Sequence, residues 1–274
     1  MERLIQDRSQ TAGTAVHQRS IRLRAVLQKF VISAPIAAVV VVALNANASA
    51  GFAYVSGTTG YDYSYPQCGT AAPAASFGVV GVNAGYPFTY YNSCLAAEYT
   101  AAARTGNVAI YVNTGYDPTY TAIDSRHTTQ ACVSSSAGVT GTQAQQAAWA
   151  VGCSEAQRDE AYASAQSATA PKAWWLDVEI ANSWSTSDLT LNRYAIQGLI
   201  ATLRPTLVPI GIYSTASQWN AITGGYNAPV DANWVATGQR TAKRAQQSCS
   251  SAGFTGAKVW LVQYVATYDH DLAC

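Results

Sequence analysis

Short apolar runs rich in β-branched and aromatic residues recur along this chain, separated by Ala-rich stretches with helical spacing. The runs are 51–63, 77–83, 108–113, 173–179, 208–213, 232–236 and 259–264. Several are apolar nearly throughout, as parallel strands must be when both of their faces are covered. The intervening stretches 92–104, 154–166, 187–203, 215–222 and 238–250 read as helices, the third opening at Ser187-Asp188 and stopping before Pro205. Strand and helix in alternation predict a parallel sheet. Seven or eight strands in about 220 residues suit a closed barrel better than a doubly wound sheet, because no G-x-G-x-x-G or G-x-x-x-x-G-K loop is present. The expected fold class is α/β: a single irregular TIM-like β/α barrel over residues 51–274, with no repeat or linker dividing it. Residues 115–152 form a long polar excursion, expected to be an insertion stapled by a disulfide rather than packed on its own.

The first fifty residues have a different character. Arg3, Arg8, Arg19, Arg22, Arg24 and Lys29 precede an apolar run from Phe30 to Leu44, and small residues follow through Ala50. This is the layout of a secretory signal peptide, with cleavage expected after Ala48 or Ala50. The run is shorter than the ~20 residues a spanning helix needs, so no stable membrane insertion is expected after cleavage. Residues 51–274 then hold 10 basic and 13 acidic residues. A mildly acidic exported chain has no general attraction to nucleic acid or other anionic polymers.

All six cysteines, Cys68, Cys94, Cys132, Cys153, Cys249 and Cys274, follow the signal segment. An even count in an exported chain implies disulfides, and fifteen pairings are open in principle. The spacings favour the local pairs 68–94, 132–153 and 249–274. A metal site is not expected, since there is no C-x-x-C and only His127 and His270 remain after processing.

The run Trp174-Trp175-Leu176-Asp177-Val178-Glu179 bears most directly on chemistry. Residues i and i+2 of a strand share a face, roughly 6.6 Å apart along it. Asp177 and Glu179 therefore project together, while Leu176 and Val178 face the helices. Two carboxylates on an apolar strand are costly unless used or paired. Their repulsion should raise at least one pKa, as a general acid near neutrality requires. The pair falls at a strand's C-terminal end, where β/α barrels carry their active sites. A structural ion pair with a barrel-lining cation is the alternative. Asp62 is a second strand-end acid, on the same face as Ser64; taken alone, an Asp there is as readily a turn residue.

Taken in order, these residues resemble the glycoside hydrolase family 25 lysozymes, and more closely their secreted actinobacterial relatives. The resemblance rests on Asp62-x-Ser64, Leu176-Asp177-Val178-Glu179, Gly211-Ile212-Tyr213-Ser214, Trp234 and Gln263-Tyr264. It implies an irregular β/α barrel that cleaves the β-1,4 bond between N-acetylmuramic acid and N-acetylglucosamine in peptidoglycan. It also implies that Glu179 is the general acid. Asp177 would stabilise charge or orient the acetamido group, and Asp62 would be a further acid. Tyr213, Gln263, Tyr264 and Trp234 would line the cleft, and Trp184, five residues past Glu179, is a candidate platform for a sugar ring. This chain departs from the pattern at Tyr65-Pro66-Gln67-Cys68, at Ile110-Tyr111-Val112-Asn113 and at Val235-Ala236-Thr237. A non-catalytic wall-binding protein on the same barrel is thus the competing expectation. The expected partner is a glycan, with no nucleic acid and no cofactor, and the expected state is an extracellular monomer.

Overall fold

The computed structural model describes residues 53–88, 90–266 and 268–274. The expected signal peptide and both cleavage positions lie outside the described residues. Eight strands close into a barrel in sequence order: β1 (Thr59–Tyr63), β2 (Phe77–Gly81), β3 (Val108–Asn113), β4 (Trp174–Asp177), β5 (Ile210–Ser214), β6 (Ala232–Gln239), β7 (Lys258–Val265) and β8 (Asp269–Ala273). Helices α1 (Leu95–Ala103), α2 (Gln130–Ser136), α3 (Gln143–Ala165), α4 (Leu189–Leu203), α5 (Ala216–Thr223) and the short α6 (Ala242–Ala245) lie between them.

Alternation along the strands makes two cores. Phe77, Val79, Ala109, Trp175, Trp234 and Leu261 fill the barrel interior. Val80, Ile110, Val112, Leu176, Ile210 and Ile212 face outward onto Leu95, Ile196, Leu199, Trp219 and Ile222 of the helix layer. Both faces of each strand are thus dry, which is why the runs read as apolar throughout.

One strand breaks the parallel expectation. β1 to β7 pair in parallel, whereas β8 runs antiparallel to both β7 and β1. Only three residues separate Val265 from Asp269, too few for a crossover, so the chain turns back as a hairpin and seals the barrel. The polar sequence at the C-terminus, beyond the last predicted run, is a barrel strand.

The insertion also differs in one respect. Its second half is the N-terminal part of α3, which starts at Gln143 behind a Thr142–Gln145 capping box. This helix packs backbone to backbone on α4. A Cβ added at Gly152 would lie 1.8 Å from the Ala195 carbonyl oxygen, and one at Gly198 would lie 2.1 Å from that of Trp149. The insertion is therefore packed as well as stapled. Disulfides join Cys68 to Cys94, Cys132 to Cys153 and Cys249 to Cys274. Loops of this length lose about 3 kcal/mol of unfolded-chain entropy each in the loop-closure account. The first ties the turn after β1 to the start of α1, the second ties α2 to α3, and the third anchors the chain end.

Candidate active site

Inward-facing residues at the C-terminal ends of the parallel strands meet around a cavity of about 120 Å³, lined by Asp62, Tyr111, Asp177, Glu179, Tyr213, Trp234, Gln263 and Asp269. The i, i+2 rule delivers Asp177 from the last residue of β4 and Glu179 from the loop just beyond it. Six residues named from sequence are thereby brought together: Asp62, Asp177, Glu179, Tyr213, Trp234 and Gln263. Trp234 is the floor, its ring 4.5 Å from Tyr213 and 5.7 Å from Trp175 between centroids.

The carboxyl groups differ in setting. Asp177 is 6% exposed, and its Oδ1 has no hydrogen-bond partner. Burial first, then the charges of Glu179 and Asp62, hold its pKa well above the ordinary carboxylate value. Asp62 is pushed up to about 7, chiefly by burial and then by the charge of Asp269. Two contacts oppose that rise. Gln263 Nε2 donates to Asp62 Oδ2 at 3.1 Å, while Gln263 Oε1 accepts the Tyr213 hydroxyl at 2.8 Å. The second contact is with Asp271, which is fully buried and raised well above normal by burial and then by Asp62. The charge of Asp62 disfavours ionisation of Asp271, so the two acids titrate as a pair.

Glu179 is half-buried at the rim. Its Oε1 accepts from Gln218 Nε2 at 3.4 Å, and Gln218 Oε1 accepts the next residue's amide, Ile180 N–H, at 2.8 Å. The Trp184 indole N–H donates to the Glu179 backbone oxygen at 2.8 Å. Trp184 itself packs between the two outer cores and does not line the cavity. It props the loop bearing Glu179. Tyr264 is likewise off the cavity: it alternates with Gln263 to the other face of β7 and stacks on His270 at 5.4 Å.

Sequence reading missed Asp269, Asp271, Tyr111 and Gln218. The signal for the first two was present, since Asp269-x-Asp271 repeats the i, i+2 pattern of Asp177-x-Glu179. Among the described residues, no group of three or more His, Cys, Asp or Glu side chains is arranged to hold a metal ion. Chemically, the arrangement offers a proton store within a low-dielectric floor and a half-exposed carboxyl above it.

A closed β/α barrel with carboxyl groups gathered at the mouth of its parallel strands is the class that fold and site define. Within it, the chain belongs to the lysozyme-like family: residues 92–261 match the profile described as Lysozyme-like protein 1. A segment of 65 residues is 40% identical to "Probable GH family 25 lysozyme 4" of Dictyostelium discoideum, covering 22% of this chain and 30% of that protein. The chain thus matches less than a third of that relative's length. Among solved structures, the barrel is similar to a bacterial lysozyme from Streptomyces coelicolor (20% identity, 80% of this chain and 93% of that one, TM-score 0.48). It is also similar to a family GH25 lysozyme from Aspergillus fumigatus (16% identity, 79% and 93% covered, TM-score 0.47).

Proposed function

We propose that this protein is an exported glycoside hydrolase that cleaves peptidoglycan at the β-1,4 bond between N-acetylmuramic acid and N-acetylglucosamine. The observation that carries this reading is the convergence of Asp62, Asp177 and Glu179 on one open cavity within a lysozyme-like barrel. Glu179, at the rim and fixed by Gln218 and the Trp184 prop, delivers a proton to the glycosidic oxygen. Asp177, beneath it, stabilises the oxocarbenium-like centre or orients the substrate's acetamido group. Asp62, held by Gln263, which Tyr213 in turn fixes, is the further acid and carries a proton below about pH 7. Residues 1–50 act as the export signal and residues 51–274 as the mature domain, working outside the cell as a monomer. Three disulfides are consistent with that compartment. No described helix is long and apolar enough to cross a membrane.

The test is digestion of purified peptidoglycan by the oxidised protein beside Glu179→Gln, with new reducing ends resolved by mass. Muramic-acid ends from the parent alone are expected. Equal product from Glu179→Gln would remove Glu179 as the acid, and no product from either would favour a wall-binding protein.

A further inference from the structure

Most tyrosines of this chain are buried or stacked, but Tyr65, Tyr86 and Tyr90 are 50%, 52% and 64% exposed. None of the three has a side-chain hydrogen bond or ring contact among the described residues. They stand on two neighbouring loops beside the cleft. Tyr65 is three residues past Asp62, and the intervening Ser64 is buried beside the cavity wall, where a Cβ at Gly81 would lie 2.8 Å from its Oγ and 2.9 Å from the hydroxyl of Tyr111. Beyond β2 the chain doubles back, with Asn83 bridged to Tyr91 and the Ala84 N–H donating to the Tyr90 carbonyl at 3.0 Å.

The turn that carries Tyr65 and the base of the loop that carries Tyr86 and Tyr90 are tied down. Tyr65 opens a turn that Pro66 stiffens and that is capped by the Ser64 N–H donating to Gln67 Oε1 at 3.0 Å. The Cys68–Cys94 disulfide then ties this turn to the start of α1, just past the second loop. The two loops also meet directly. Gly85, at a φ of +86° that a side chain rarely adopts, leaves the Tyr65 ring resting 3.7–3.8 Å from where a Cβ would sit. Exposed rings whose backbone is already fixed lose little entropy on binding. A Tyr offers an apolar face and a wet hydroxyl, the match for a pyranose ring with its C–H face and hydroxyl edge.

We propose that Tyr65, Tyr86 and Tyr90 form an aromatic ledge that stacks sugar rings of the glycan strand outside the catalytic pair. The ledge lengthens the site on its β1–β2 side and selects polymer over short fragments. It rests on the glycan reading given above.

The test measures binding to insoluble peptidoglycan by co-sedimentation, all variants carrying Glu179→Gln so that cleavage cannot intervene. Removing two rings with Tyr65→Ala/Tyr86→Ala should weaken binding about tenfold. Tyr65→Phe/Tyr86→Phe keeps the rings and should bind within about twofold of the Glu179→Gln parent. Circular dichroism checks that each variant is folded. Unchanged binding by the folded Ala pair would overturn the ledge, as would a Glu179→Gln parent with no affinity for the wall. If the unsubstituted protein releases no reducing ends but wall binding still depends on the two rings, the ledge stands and the hydrolase reading falls.

Discussion

Two of the places where this barrel buries carboxyl groups differ in form, and of this pair only one has the form of an active site. At the mouth, Asp62, Asp177 and Asp271 are raised, chiefly by burial. On the far face of α3, Glu155 and Asp159 are 1% and 2% exposed, one helical turn apart, and also raised well above normal. Both Glu155 oxygens and Asp159 Oδ2 lack a hydrogen-bond partner. What separates the two is access. The mouth cluster opens to a cavity and is topped by a half-exposed Glu179, whereas the α3 pair is sealed near Tyr91, which stacks on Tyr162. A perturbed carboxyl marks a reaction site only where a substrate can reach it.

The sharpest way to break that comparison is to neutralise one acid in each region. Glu179→Gln should cost roughly 10³-fold in peptidoglycan cleavage, since a positioned general acid supplies 10²–10⁴. Glu155→Gln should leave the rate within about twofold of the parent. A large loss from Glu155→Gln in a folded protein would erase the distinction.

The next largest effect is in the pH profile. With Asp62 titrating at about 7, its proton is lost as pH rises through neutrality, and the cluster loses protons the reaction needs. Activity should therefore fall on the alkaline side with a midpoint near pH 7. Asp62→Asn should be slower overall and should shift that limb, while Glu155→Gln leaves it in place. An identical limb in Asp62→Asn would assign the transition to another group.

Much of this was legible in the sequence. β2 to β7 announce themselves because burial on both faces demands continuous apolar residues. Asp177 and Glu179 stand out because charge on such a strand needs a reason. What stayed hidden has physical causes too. The first half of α3 buries Ala148, Ala150 and Gly152, small residues chosen for close approach, so its buried face carries no hydrophobic stripe. β8 was missed because its inward face is acidic. Asp269 and Asp271 read as a solvated tail until the hairpin with β7 turns them toward the cavity. Tyr264 was credited to the cleft with its neighbour Gln263, although a one-residue step on a strand reverses the face.

Stability should also distinguish the regions. Glu155 and Asp159 bind protons more tightly folded than unfolded, so their contribution is complete below about pH 4 and is lost as pH climbs through the raised folded values. The melting temperature should consequently decline as pH rises above the ordinary carboxylate range of about 4. Glu155→Gln should flatten that decline and melt about 3 °C higher than the parent at pH 8. A steeper decline in the variant would mean that Glu155 is ionised and paired in the fold.

The smallest effect tests whether Trp184 acts through Glu179. Trp184→Phe retains an aromatic ring in the outer core but removes the N–H that holds the Glu179 backbone oxygen at 2.8 Å. The Asn182 N–H donates to the same oxygen at 3.0 Å, and Gln218 still engages Oε1, so the loop keeps most of its restraint. One hydrogen bond is worth about 1 kcal/mol net, so kcat should fall about fivefold with KM little changed. A rise in KM with kcat intact would instead return Trp184 to the cleft as a sugar platform, because a ring that binds the ground state and the transition state equally shifts KM alone.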